Sequence, residues 1–134
     1  MASEQKIREI LSHIEEGFGP SFFDYVAEDV SWTVTGVDNP IGGHRSNKTD
    51  IKKPYQRIGA LMDTPIKPKI RHILIGNTGD EAFVEFTAMA KIKNGGEFAL
   101  DACWFCRFKE DEIVEVRGYM DSALMKRVLD EHEK

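Results

Sequence analysis

Residues 98–121, FALDACWFCRFKEDEIVEVRGYMD, decide how the rest of the chain is read. Leu100, Ala102, Trp104, Cys106 and Phe108 alternate with Asp101, Cys103, Phe105 and Arg107. Past the polar turn Lys109–Glu112, Val114, Val116, Gly118 and Met120 alternate with Glu115, Arg117, Tyr119 and Asp121. Successive side chains leave a pleated strand on opposite faces, so this period of two predicts two long strands joined as a hairpin. One face is apolar and carries a single indole. The other is largely charged. Function turns on which of the two lines a cavity.

Working upstream, Asn94-Gly95-Gly96 is a hairpin signal that joins these strands to a further alternating run, Glu81–Lys93. The turn Gly76–Asp80 then leads back to a strand over Lys69–Ile75. Before it, Thr49 or Asp50 can cap a helix running to about Met62, with the stripe Ile51, Tyr55, Ile58, Leu61 and Met62 and with Pro54 in its first turn. Val37–Lys48 reads as a Gly-, Asn- and Pro-bearing loop, and Asp29–Gly36 as a β-branched and aromatic strand. Residues 3–17 place Ile7, Ile10, Leu11 and Ile14 on one helical stripe, with Ser3 as N-cap and Gly17 as stop. Pro20 suits the first turn of a second, short helix that holds Phe22, Phe23, Tyr25 and Val26. Downstream, Asp121 or Ser122 can cap a last helix bearing Leu124, Met125, Val128 and Leu129. Helices grouped early and an antiparallel meander after them predict an α+β domain with helices on one face of a curved sheet.

Bulk properties remove several classes of function. The 134 residues suit one domain, 1–134, with one core. A net charge of −5 argues against nucleic acid, which needs clustered Lys and Arg. No apolar run is long enough to span a bilayer, and MASEQKIREI lacks the apolar stretch of a signal peptide, so the expected location is cytoplasmic, away from membranes. Cys103 and Cys106 form a C-x-x-C, but inside an alternating strand their sulfurs point to opposite faces and read as inert thiols. No further ligands stand at zinc-site spacing, so no metal is expected.

The opening helix, the W-x-V-x-G of Trp32–Gly36, the turn Gly42-Gly43-His44-Arg45 and the closing W-F-C-R-F…I-V-E-V-R-G-Y-M-D-S-A-L together resemble the SnoaL-like branch of the NTF2-like superfamily. That group includes ketosteroid isomerase, limonene-epoxide hydrolase and scytalone dehydratase. The resemblance covers nearly the whole chain and is most specific over residues 103–124. It implies a conical α+β barrel, a curved antiparallel sheet wrapped around N-terminal helices with a short C-terminal helix. It also implies an apolar pocket between helices and sheet, and a homodimer packed through the outer sheet face. The reaction it implies is a cofactor-independent isomerase, cyclase, dehydratase or hydrolase step on a small hydrophobic substrate of polyketide, terpenoid or steroid type.

Two positions depart from the relatives' acids. Laid over the isomerase-like D-x-F-R-F pattern, Trp104 stands where the protonated carboxylic acid would be; laid over the hydrolase-like W-R-D-Y-F-D, Gly118 stands where a catalytic Asp would be. The cavity face is then expected to hold Leu100, Ala102, Trp104, Cys106, Val116, Gly118 and Met120, an apolar surface that suits a multi-ring ligand. Proton chemistry is expected from the cavity's ends. His44, in the Gly-rich loop near the mouth, can act as acid or base near neutral pH, and Asp121 at the end of the last strand is either the helix cap or a carboxylate at the cavity's edge. Trp32 and Tyr55 are expected in the wall. A non-catalytic module binding a hydrophobic ligand, or a dimerisation domain filled by its own side chains, is the alternative.

Overall fold

The computed structural model describes residues 3–133. In chain order its elements are α1 (Glu4–Ser12), a 3-10 turn (His13–Glu16), α2 (Pro20–Phe23), β1 (Val26–Val34), β2 (Gly43–Arg45), α3 (Lys48–Gly59), β3 (Lys67–Ile75), β4 (Glu81–Lys91), β5 (Glu97–Lys109), β6 (Glu112–Met120) and α4 (Ser122–His132). The six strands form one open, mixed sheet in the order β2-β1-β6-β5-β4-β3. β3 to β6 are an antiparallel meander, and β1 joins it parallel to β6. The helices cover one face, where Ile7, Ile10, Leu11, Ile14, Phe22, Ile51 and Met125 are all at most 1% exposed.

Local chemistry accounts for most element ends. The Ser3 hydroxyl accepts from the Lys6 amide at 3.1 Å, and Gly17 ends the 3-10 turn at φ 109°, a conformation that a side chain rarely tolerates. The Asp121 carboxylate accepts from the Leu124 amide at 3.1 Å and caps α4. Phe22 and Phe23 lie in α2, but Tyr25 and Val26 fall outside it, because β1 begins at Val26 to pair with Ile113.

Besides the shorter α2 and the parallel pairing of β1 with β6 in a sheet expected to be antiparallel, three features depart from the sequence reading. Val37–Lys48 is not loop throughout, since Gly43–Arg45 pairs antiparallel with Trp32–Val34 as β2. α3 is capped by Asn47, whose Oδ1 accepts from the Asp50 amide at 2.8 Å, so the helix starts earlier and Pro54 sits in its second turn. Lacking an N–H, Pro54 leaves one helical carbonyl without its usual donor. On β6, a register shift beside Arg107 pairs Phe108 with Ile113, so the fully buried residue near the turn is Ile113 and Val114 is only half-buried. Such a bulge sets two residues against one and restores alternation beyond it.

No helix among the described residues is long and apolar enough to cross a membrane.

Candidate functional site

The inner face of the sheet carries Leu100, Ala102, Trp104, Cys106, Val116 and Gly118, each at most 7% exposed or fully buried, with Met120 partly buried beside them. Trp104 faces Gly118 across β5 and β6. A Cβ placed on Gly118 would meet Trp104 Cδ1 and Nε1 at 3.3 Å each. The glycine therefore makes the space that the five-membered ring of the indole occupies beside β6. Trp32 crosses Trp104 edge-on at 5.0 Å and 81°, Phe86 does so at 5.0 Å and 85°, and Phe18 lies at 5.7 Å. Crossed and tilted aromatic pairs at these separations are favourable beyond the area they bury.

Between this wall and the helices is a cavity of about 30 Å³, lined by Phe18, Ile41, Tyr55, Ile58, Ile66, Phe86, Ala88, Phe98, Leu100, Ala102, Trp104, Met120 and Met125. That is room for about one or two waters. Tyr55 is the one titratable side chain among these lining residues. Burial pushes its phenol far above the ordinary range, opposed by the positive charge of Arg45 nearby. The hydroxyl thus keeps its proton and can donate a hydrogen bond, but cannot serve as a base at neutral pH. Behind Trp104, the buried Trp32 Nε1–H has no acceptor among the described residues. A buried donor without a partner costs about 1–3 kcal/mol.

Of the residues singled out from sequence, Tyr55, Trp104 and Met120 line the cavity, Gly118 backs Trp104, and Trp32 stands one layer behind. His44 and Asp121 are not among the lining residues, and both are exposed. The reason for His44 is the pairing of β2 with β1. Trp32 points inward and is paired with Arg45, whereas His44 is opposite Thr33 and points outward, where its Nε2 lies 2.9 Å from Ser31 Oγ. Asp121 is engaged as the α4 cap.

Several lining residues were not foreseen as cavity wall, among them Phe18, Ile41 and Met125. Phe18 stands between two glycines, Met125 lies on α4, and Ile41 belongs to the 36–42 loop. That loop is pinned by Asn39, whose Nδ2 donates to the Thr35 carbonyl at 3.0 Å and whose Oδ1 accepts from the Ile41 amide at 3.2 Å. A lone isoleucine in a polar loop was the only sequence signal.

The outer face has different chemistry. Arg107 bonds Glu81 at 2.6 Å and Glu115 at 3.0 Å, while Thr87 accepts from Arg71 at 2.8 Å and donates to Asp101 at 2.7 Å. Cys106 is fully buried on the inner side and Cys103 is partly exposed on the other, and burial raises the pKa of both thiols. Protonated thiols on opposite faces make neither a redox pair nor a metal site. Among the described residues, no three His, Cys, Asp or Glu side chains gather as a metal site requires.

Comparison with known proteins agrees with this architecture. The SnoaL-like domain family matches residues 7–116. The dimerizing cyclase phiC of a fungal species (strain ATCC 74256) is 29% identical over 134 aligned residues, covering 98% of this chain and 58% of that protein. The chain thus spans little more than half the length of this curated relative. Among solved structures, TerC co-crystallised with polyporic acid superposes with a TM-score of 0.74 at 13% identity, over 94% of this chain and 96% of TerC. An NTF2-like protein from Burkholderia pseudomallei K96243 gives 0.73 at 19% identity, over 92% and 94%. With its six-stranded curved sheet, helix-covered inner face and buried apolar cavity, the chain belongs to the SnoaL-like domain family of the NTF2-like fold.

Proposed function

We propose that the protein is a cofactor-independent enzyme of cyclase or isomerase type, acting on a small hydrophobic substrate of polyketide, terpenoid or steroid character. The observation that carries this reading is the cavity itself, whose lining residues are apolar apart from Tyr55, a phenol that burial keeps protonated and able to donate. Relatedness to a protein named a dimerizing cyclase supports the same class. The aromatic wall holds the substrate folded, which removes conformational freedom ahead of ring closure. Tyr55 then donates to a carbonyl oxygen as negative charge develops there, in a largely apolar site where such a hydrogen bond is strengthened. No carboxylate or imidazole lies on the wall, so the chemistry assigned is carbonyl polarisation and positioning, with any base supplied by the substrate or by solvent.

The test is product formation from linear polyketide, terpenoid and steroid-enone candidates, followed by mass spectrometry. Tyr55→Phe should lower kcat roughly 100-fold with little change in KM, while His44→Ala and Asp121→Asn stay near wild type. Equal loss in His44→Ala would return the proton chemistry to the outer face. The absence of a lining carboxylate or His also favours a second reading, a module that sequesters a hydrophobic ligand without turnover. Ligand bound and recovered unchanged would select it.

The outer sheet face supports a homodimer. Leu74, Phe83 and Tyr119 are 68%, 45% and 43% exposed there, and Leu74, Phe83 and Phe105 stand in register on adjacent strands. An apolar row of this kind, flanked by Arg107 and its carboxylates, is the composition of an interface core with a polar rim.

A further inference from the structure

The 30 Å³ cavity is too small for any substrate of the proposed class, so one of its walls must move. On the other side of one wall is an open cleft of about 490 Å³ between the Glu16–Pro20 segment and α3, lined by Gly17, Gly19, Lys52, Gln56, Gly59 and Pro65 among others. Phe18, Tyr55 and Ile66 line both spaces and are the partition between them. Phe18 packs on Tyr55 at 4.6 Å and on Trp104 at 5.7 Å, and it is carried on Gly17-Phe18-Gly19. Gly17 holds φ 109°, and a Cβ on Gly19 would meet nothing within 4 Å. The aromatic ring is therefore mounted between two glycines with open space outside it.

The cleft also has a charge. Lys52, Tyr55, Gln56 and Gly59 follow one another along a single face of α3 at helical spacing. The neighbours Lys48 and Lys53 pair with Glu28 and Asp50. Lys52 has no carboxylate partner among the described residues; its Nζ lies 5.5 Å from the centre of the Phe23 ring. A cation left without an anion, at the opening of an apolar cavity in a protein of net charge −5, complements an anionic ligand group.

We infer that the α2–α3 cleft is the entrance of the site, that Phe18 is its gate, and that the ligand is an apolar molecule bearing an anionic group, such as a carboxylate, which Lys52 binds at the rim. The apolar body passes Phe18 and lies against Trp104, within reach of the Tyr55 hydroxyl. This rests on the cavity being the functional site, as proposed above, and adds the ligand's charge and its route.

The test uses two probes that differ only in the anionic group, 1-anilinonaphthalene-8-sulfonate and N-phenyl-1-naphthylamine, with binding to the full chain read by fluorescence. The wild type should prefer the sulfonate. Lys52→Gln should weaken sulfonate binding by about tenfold and leave the uncharged probe within about twofold. Gly59→Leu puts a side chain into empty space at the cleft wall and replaces a poor helix former with a good one. It should therefore weaken both probes by about tenfold or more in a protein that is no less stable. Phe18→Ala removes the gate and should tighten the uncharged probe by about tenfold, with Phe18→Leu as a milder variant that keeps the packing. An unchanged preference in Lys52→Gln, wild-type affinities in Gly59→Leu, or no binding of either probe to the wild type and to Phe18→Leu would each overturn the inference. Probe binding as expected with no product formed would defeat only the enzymatic reading, and turnover undiminished in Gly59→Leu would defeat only the entrance.

Discussion

β5 and β6 present two surfaces made of alternate residues of the same strands, and the contrast between them organises the molecule. Inward, Trp104 lies on Gly118 among Phe18, Trp32 and Phe86, and polar atoms are nearly absent. Outward, Arg107 is held between Glu81 and Glu115, and Asp101 and Thr87 extend a polar row beside exposed Phe83 and Tyr119. Each inward residue has few substitutes, because it is fixed by close packing on every side. Each outward one interacts across high-dielectric solvent, where ion pairs are worth little. Trp104 and Gly118, the positions that the isomerase-like and hydrolase-like patterns would fill with acids, make the inner face a shaped apolar wall here.

The contrast is broken most severely by Trp104→Ala, which removes a 1%-exposed indole from the centre of the aromatic cluster. A loss of about 3–5 kcal/mol in denaturant unfolding is expected. Gly118→Ala comes next, at about 1–3 kcal/mol, because its Cβ meets the indole at 3.3 Å with little room for either to shift. On the outer face, Phe83→Asp should leave the fold intact and, in the homodimer proposed above, shift sedimentation toward monomer. Arg107→Ala should change unfolding least of the four despite two bonded carboxylates, since the side chains involved are a third to a half exposed and solvent screens the pairs.

A pH titration sharpens the same comparison. Burial raises the pKa of folded Cys106, and unfolding returns it to the ordinary thiol value of about 8.5. Above that pH the unfolded chain has released a proton that the folded chain retains. Stability is therefore fully present below about pH 8.5 and falls above it, by up to about 1.4 kcal/mol per pH unit from this group. Cys106→Ala should flatten that decline. Cys103→Ala, on the outer side and only partly buried, should change it less.

The elements with local signals were legible in the sequence. Ser3, Asp121 and the alternation through Leu100, Ala102, Trp104 and Cys106 depend on neighbours within a few residues, and each stands where the pattern places it. What depended on partners distant in sequence was not legible. β2 is three residues long and exists only because Trp32–Val34 is free to pair with it, and that register alone turns His44 outward and Arg45 inward. The Phe108–Ile113 shift is likewise a property of two strands together. Phe18 carried no signal of a role in the cavity, because nothing local shows that a residue between Gly17 and Gly19 reaches Trp104.

The chain has two tryptophans, Trp32 and Trp104, and both belong to the inner wall, so each indole N–H is a reporter of the site. The most direct test of the central claim is to follow these two resonances by 1H–15N NMR during titration with 1-anilinonaphthalene-8-sulfonate. Ligand in the cavity behind Phe18 should move both, with the orphaned Trp32 Nε1–H shifting as it gains an acceptor or as Trp104 turns beside it. Saturable binding that leaves both indole signals in place, while amides around His44, Phe83 or Tyr119 shift, would contradict it and move the functional surface to the outer face of the sheet.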